Sequence, residues 1–144
     1  MKGWAVERAA APLQALANTD YCLSAGGDMT CRTRRPGAAP WRIGVEDPAD
    51  PARILAVIPL FTGALATSGT AHRGAHLVDA RTGRPPVGVP SVTVVTQCLT
   101  WADIDAFAAY AHGRGAADWL RTRQGRTGLV VWGDGTTIKV QPDD

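Results

Sequence analysis

The chain has 144 residues, a length that one domain accommodates and that buries a core without a disulfide framework. With 45% apolar and 19% charged residues, its composition is that of a globular protein and excludes a disordered one. The net charge is only +2, and arginines such as Arg32, Arg34 and Arg35 are scattered rather than run together, so nucleic acid is not an expected partner.

The segment Met1 to Glu7 has no apolar signal core. No stretch approaches the roughly 20 apolar residues of a membrane span, so no membrane is expected. The three cysteines, Cys22, Cys31 and Cys98, are odd in number and lack metal-ligand spacing. They read as reduced thiols of a cytoplasmic protein.

In chain order, Trp4 to Ala17 has apolar residues at helical spacing (Val6, Ala9, Ala10, Leu13, Leu16) and predicts an amphipathic helix. Pro12 costs about 3 kcal/mol in a helix interior, so it is expected to kink the helix or end its regular part. Tyr21 to Ser24 predicts a strand, Ala25-Gly26-Gly27-Asp28 a turn, and Met29 to Thr33 the returning strand. Trp41 to Val45 alternates as a strand stopped by Asp47-Pro48, with Asp47 to Ala52 as a connector. Ile54 to Leu60 and Gly63 to Thr67 predict strands, Ser68 to Gly74 a polar turn, Ala75 to Val78 a short strand, and Ala80 to Val87 a loop.

Ser91 to Gln97 is β-branched almost throughout and gives the clearest strand. Thr100 to His112 predicts a helix, with Thr100 at the N-cap, Asp103 completing a box-like start and Gly113 just past its end. Ala116 to Arg123 is a further helical piece. Leu129 to Trp132 and Thr136 to Val140 flank Gly133-Asp134-Gly135 as a hairpin. Strands follow one another without helical crossovers, which favours an α+β fold with a mixed, largely antiparallel sheet and flanking helices over residues 1–144.

Several groups have chemical potential. Gly26 and Gly27 allow a turn that exposes backbone N–H groups, which suits phosphate oxygens. Asp28 suits a ribose hydroxyl, an indirect metal contact or a plain turn bond. His76 to Gly83 places an imidazole, a carboxylate, a guanidinium and a hydroxyl within one segment; the simpler reading of Asp79 to Gly83 is a loop held by side-chain-to-backbone bonds. Asp103 reads on its own as part of a helix cap. Trp41, Trp119 and Trp132 suit core or half-buried positions, and His72 and His112 have no partners at a readable spacing.

Four blocks, taken in order, resemble the flavin transferase (ApbE-like) family. Lys2-Gly3-Trp4-Ala5-Val6-Glu7 resembles its Lys-Gly-aromatic-Ala-Val-Asp segment, and Ser24 to Asp28 its Asn-Ala-Gly-Gly-Asp turn. Ala66-Thr67-Ser68-Gly69 with His76 to Gly83, then Ser91 to Gln97 with Thr100 to Asp103, resemble the two later blocks. The resemblance runs from Met1 to about Leu120 and covers the second half of a family member.

It implies transfer of FMN from FAD to a Ser or Thr hydroxyl of a flavin-acceptor protein, with Mg²⁺ and release of AMP. Asp103 would be the metal ligand and His76 the flavin contact, both catalytic. Lys2, Trp4, Gly26, Gly27, Asp28, Ser68, His76 and Thr82 would hold the nucleotide. Mg²⁺ takes oxygen ligands and shares them with phosphates, which suits a carboxylate beside a pyrophosphate. Ala80 stands where the family has Pro, which leaves that loop less rigid.

The family's Thr four residues after the carboxylate is Phe107 here, which offers a metal no oxygen. Asp105 lies about 200° from Asp103 around a helix and is a poor substitute. These departures keep two alternatives open: a non-catalytic flavin-nucleotide-binding protein, and an interaction protein completed by a second copy or a partner chain covering exposed apolar surface.

Overall fold

The computed structural model describes residues 2–70 and 77–141. Helix α1 (Lys2–Gln14) buries Gly3, Val6 and Ala10 along one stripe. Pro12 is accommodated in its last turn: the amides of Ala15 and Leu16 reach only the carbonyls three residues back, and the helix stops. Strands β1 (Tyr21–Ala25) and β2 (Asp28–Arg32) then form a hairpin closed by Gly26 and Gly27 alone. Both glycines have positive φ, 55° and 86°, the backbone of a two-residue type I′ turn.

Strands β3 (Trp41–Asp47) and β4 (Asp50–Leu60) make a separate two-stranded ribbon. The expected connector from Asp47 to Ala52 shrinks to Pro48 and Ala49, because the Asp47 carboxylate accepts the Ala49 N–H at 2.9 Å and closes a tight turn. Strand β5 (Thr62–Gly69) runs into the predicted polar turn, since Ser68 and Gly69 still pair with Val92 and Ser91 of β6 (Ser91–Thr96). Of the short strand expected at Ala75 to Val78, Ala75 and His76 lie outside the described residues. Leu77 and Val78 are not in a strand, and Asp79 makes an isolated bridge to Arg84.

Helix α2 (Leu99–Ala111) leads through a 3₁₀ turn at Gly113–Gly115 to the short α3 (Ala116–Arg121), and β7 (Thr127–Val131) and β8 (Thr137–Val140) finish the sheet. The sheet order is β1-β2-β5-β6-β7-β8, antiparallel at every pairing. The fold is α+β with a largely antiparallel sheet and helices against it, as the succession of strands without crossovers predicts.

Strand alternation divides the sheet into two faces. Ala64, Ala66, Val92, Val94 and Val130 face α1, α2 and α3 and form the main core with Leu99, Ala102, Ala106, Tyr110 and Leu120. Cys31 and Leu65 face the other way and meet Ile43, Trp41, Ile58 and Leu60 of the β3–β4 ribbon. Trp41, Trp119 and Trp132 are half-buried, as expected. The outer face of α2 keeps Trp101, Ile104 and Phe107 exposed at three-residue intervals, an apolar strip. No helix among the described residues is long and apolar enough to cross a membrane.

Candidate functional site

A cleft of about 790 Å³ opens where the start of α1, the β1–β2 turn, the β3 end of the ribbon, the end of β5 and the first turns of α2 converge. Its walls include Lys2, Gly26, Gly27, Ser68, Asp103 and Phe107. That volume is in the range of small-molecule and cofactor sites. The cleft thus gathers four of the residues expected to hold the nucleotide, and Asp103, from four separate stretches of chain.

Contacts from two consecutive residues of α1 tie three of these stretches together. The Lys2 ammonium donates to the Gly26 carbonyl at 2.7 Å and lies 3.2 Å from Asp28 Oδ1. The Gly3 N–H donates to Asp103 Oδ2 at 2.8 Å. Gly3 is required by proximity: a Cβ there would stand 2.6 Å from the Asp103 Cβ and 2.8 Å from the Leu99 carbonyl oxygen. Its first-turn N–H has no partner within its own helix, so a carboxylate from α2 satisfies it.

Asp28 is buried behind the turn at 1% exposure, and its Oδ2 has no hydrogen-bond partner. Burial raises its carboxyl above the ordinary range, and the nearby Asp103 charge pushes the same way, against the pull of Lys2. Two carboxylates and one ammonium therefore share this corner.

The start of α2 differs from the sequence expectation. The helix begins at Leu99 with Cys98 as N-cap and no cap from its own side chain, so Thr100 lies in the first turn. Glu7 of α1 supplies the cap instead. Its carboxylate accepts the N–H of Leu99 at 3.1 Å and of Thr100 at 3.2 Å, the Cys98 thiol at 3.3 Å, and the Thr100 hydroxyl. Burial tends to raise the Glu7 carboxyl, but these four donors outweigh it and hold it below the ordinary value. Gly3 and Glu7 stand one helical turn apart, so a single stripe of α1 fixes both Asp103 and the helix end that carries it. The sequence signal for Glu7 was its place in the Lys2-to-Glu7 block, opposite the family's acidic residue.

Asp105 fares differently. It is fully buried, with Arg126 Nε at 2.7 Å and Arg123 at 3.3 Å. Its carboxylate is committed to this interior ion cluster, away from the cleft.

Trp4 and Thr82 stand apart from the cleft walls. Trp4 is 52% exposed, with the Arg8 guanidinium 5.8 Å from its ring centroid. Thr82 lines a second hollow of about 450 Å³ with Arg84, His112 and Arg114. The loop around it is held by Asp79, whose carbonyl accepts the N–H of Thr82 and Gly83 and whose carboxylate pairs with Arg81 at 2.9 Å. His112 stacks on Trp119 with ring centroids 5.5 Å apart. His76 and His72 lie outside the described residues.

Among the described residues, no group of three or more His, Cys, Asp or Glu side chains comes together to hold a metal ion. Mg²⁺ does not require such a group when phosphates and waters supply most of its oxygens, and one carboxylate on a cleft wall meets the protein's share. Glu46 and Asp103 are the acidic residues on the cleft wall. Phe107, one turn further along α2, presents carbon to the same space.

The ApbE family matches residues 1–130. The chain is 35% identical over 128 residues to an FAD:protein FMN transferase of Rhodobacter capsulatus, covering 83% of this chain and 24% of that protein. It is 33% identical over 112 residues to one of Vibrio cholerae, covering 71% of this chain and 34% of that protein. The crystal structure of the ApbE protein of Thermotoga maritima superposes with a TM-score of 0.83 at 31% identity, over 97% of this chain and 49% of that one. The chain thus spans about half the length of that solved relative, and less of the two sequence relatives. With the family matched over most of its length and the fold shared, the chain belongs to the ApbE family.

Proposed function

We propose that this chain serves FMN transfer from FAD to a Ser or Thr hydroxyl of an acceptor protein, with Mg²⁺ in the cleft. The observation that carries the reading is the double tie from Lys2 and Gly3, which sets the Gly26-Gly27 turn and the Asp103 carboxylate on one cleft wall. In the reaction the hydroxyl oxygen attacks the flavin-side phosphorus, the pyrophosphate bond breaks, AMP leaves with its new terminal phosphate, and the hydroxyl proton passes to that phosphate or to solvent. A bound Mg²⁺ would neutralise charge on the pyrophosphate.

The chain's own residues have distinct tasks in this reading. Gly3 orients Asp103 as the metal-facing carboxylate. Gly26 and Gly27 offer a side-chain-free edge to the phosphates, and Lys2 keeps that edge against α1 while adding positive charge. Ser68 lends a hydroxyl from the end of β5. The assignment of His76 to the flavin, and of Trp4 and Thr82 to the nucleotide, rests on the family resemblance. The acceptor protein, and a second copy or partner chain, belong to the same reading; Trp101 and Ile104 are exposed apolar surface outside the cleft that such a chain would cover.

The test is release of AMP from FAD by the purified chain, with Mg²⁺ and then with EDTA, followed by mass measurement of covalent flavin on a Ser/Thr peptide. Mg²⁺-dependent AMP release supports the proposal; no release and no covalent flavin overturns it for this chain. Phe107 on the cleft wall favours a second reading, flavin-nucleotide binding without transfer. Calorimetric titration with FAD and FMN separates the two, since binding without AMP release supports only the second.

A further inference from the structure

Cys22 and Cys31 stand opposite each other on β1 and β2, with their Sγ atoms 2.7 Å apart. The register explains the approach. The type I′ turn makes Ala25 and Asp28 a hydrogen-bonded pair, and the antiparallel ladder alternates from there. Counting back along the strands, Ser24–Met29 is non-hydrogen-bonded, Leu23–Thr30 hydrogen-bonded, and Cys22–Cys31 non-hydrogen-bonded. In such a pair the Cα atoms lie about 4.5 Å apart and the side chains lean together. That separation is within the span a disulfide bridges without backbone movement, about 4.4–6.8 Å.

The two thiols differ in environment. Cys31 is 1% exposed, beneath Ile43 and Leu65, whereas Cys22 is half-buried on β1, at the edge of the sheet. Burial, and then the neighbouring sulfur, pushes the Cys31 thiol well above the usual thiol range. The attacking sulfur is therefore Cys22, and Cys31 is the resolving one. Cys98, at the start of α2, donates to Glu7 and takes no part.

We propose that Cys22 and Cys31 are a thiol–disulfide exchange site that a small-molecule disulfide of the glutathione class closes into a cross-strand bond. The Cys22 thiolate attacks one sulfur of the small disulfide and expels one small thiolate. Cys31 Sγ then attacks Cys22 Sγ, forming the intramolecular bond and expelling the second. The two protein protons end on the two released thiols; the protein pair loses two electrons and the small disulfide gains them. The bond pins the hairpin whose turn holds Gly26 and Gly27 at the cleft, and its formation does not depend on the transfer reaction.

The test treats the Cys98→Ser variant with oxidised glutathione and counts thiols after denaturation. The serine hydroxyl retains a donor for Glu7. Two thiols should fall to none, the monomer should lose two hydrogens in mass with no glutathione attached, and dithiothreitol should reverse the change. The thermal midpoint of the oxidised form should rise by about 5 °C or more. Adding Cys31→Ser should instead trap one glutathione on Cys22. Two persisting thiols, a stable adduct in the Cys98→Ser protein, or a cross-linked dimer would overturn the proposal. The unsubstituted protein serves as a second measurement, its three thiols falling to one.

Discussion

Asp103 and Asp105 are two residues apart on α2 and occupy opposite environments. Asp103 lies on the cleft wall, with one oxygen held by the Gly3 N–H of another helix. Asp105 is fully buried between the guanidinium groups of Arg123 and Arg126. The helical rotation of about 200° between them is enough to put one carboxylate on the cleft wall and the other in an ion cluster. The difference teaches that acidity on α2 is not one resource: one carboxylate ties the helix to α1 at the cleft, and the other ties it to the segment that carries Arg123 and Arg126.

The comparison breaks most visibly at Asp105. Asp105→Ala removes the buried partner of two part-exposed arginines and should cost about 2–3 kcal/mol in denaturant unfolding. A loss under 1 kcal/mol would mean that the ion cluster is not a structural tie. Asp103→Asn keeps an acceptor for Gly3 but removes the charge. Under the proposed transfer reaction, Mg²⁺-dependent AMP release should fall about 100-fold, about 2.7 kcal/mol in barrier, while unfolding changes by under 1 kcal/mol. If stability falls as far as for Asp105→Ala, the division between the two faces is wrong.

Glu7→Ala removes the cap that aims Asp103 and should cost about 1–2 kcal/mol. The Glu7 carboxyl is lowered from 4.5, so its contribution is complete above that pH and is lost as pH falls through the lower folded value. The gap between wild type and Glu7→Gln should therefore close in acid. Asp28 has the opposite sign. Its carboxyl is raised from 3.8, so the ionised form is a burden that grows as pH rises from there through the folded value. Asp28→Asn should gain up to about 1 kcal/mol at neutral pH and nothing in acid, as followed by unfolding across pH.

Much of this was legible in the sequence. The β-branched run at Ser91, the Gly26-Gly27 turn and the terminal hairpin declare themselves through local preference, and the family blocks alone bring Lys2, Gly26 and Asp103 together. What the sequence hid depends on contacts between distant segments. Thr100 looked like the helix cap because capping rules are local, yet Glu7 takes that role from more than ninety residues away. The pairing of Lys2 with Asp28 was likewise invisible, although each residue was singled out. Asp47-Pro48 read as a strand stop with a longer connector because the single bond from Asp47 to Ala49 that tightens the turn has no periodicity to reveal it.

The Gly3–Asp103 bond spans 100 positions of chain. The β1–β2 hairpin can close within its own dozen residues, but this bond must wait until the strands between the two helices have come together, because loop closure is paid before distant contacts repay it. The cleft is accordingly expected to form after the hairpin, an order that pulsed amide exchange during refolding would check. It is also open to loss without global unfolding: fraying of the first turn of α1 would release Asp103, the turn and the Glu7 cap in succession while the sheet stays intact. Amide exchange at Gly3 thus reports, in one proton, whether the molecule is assembled or merely folded.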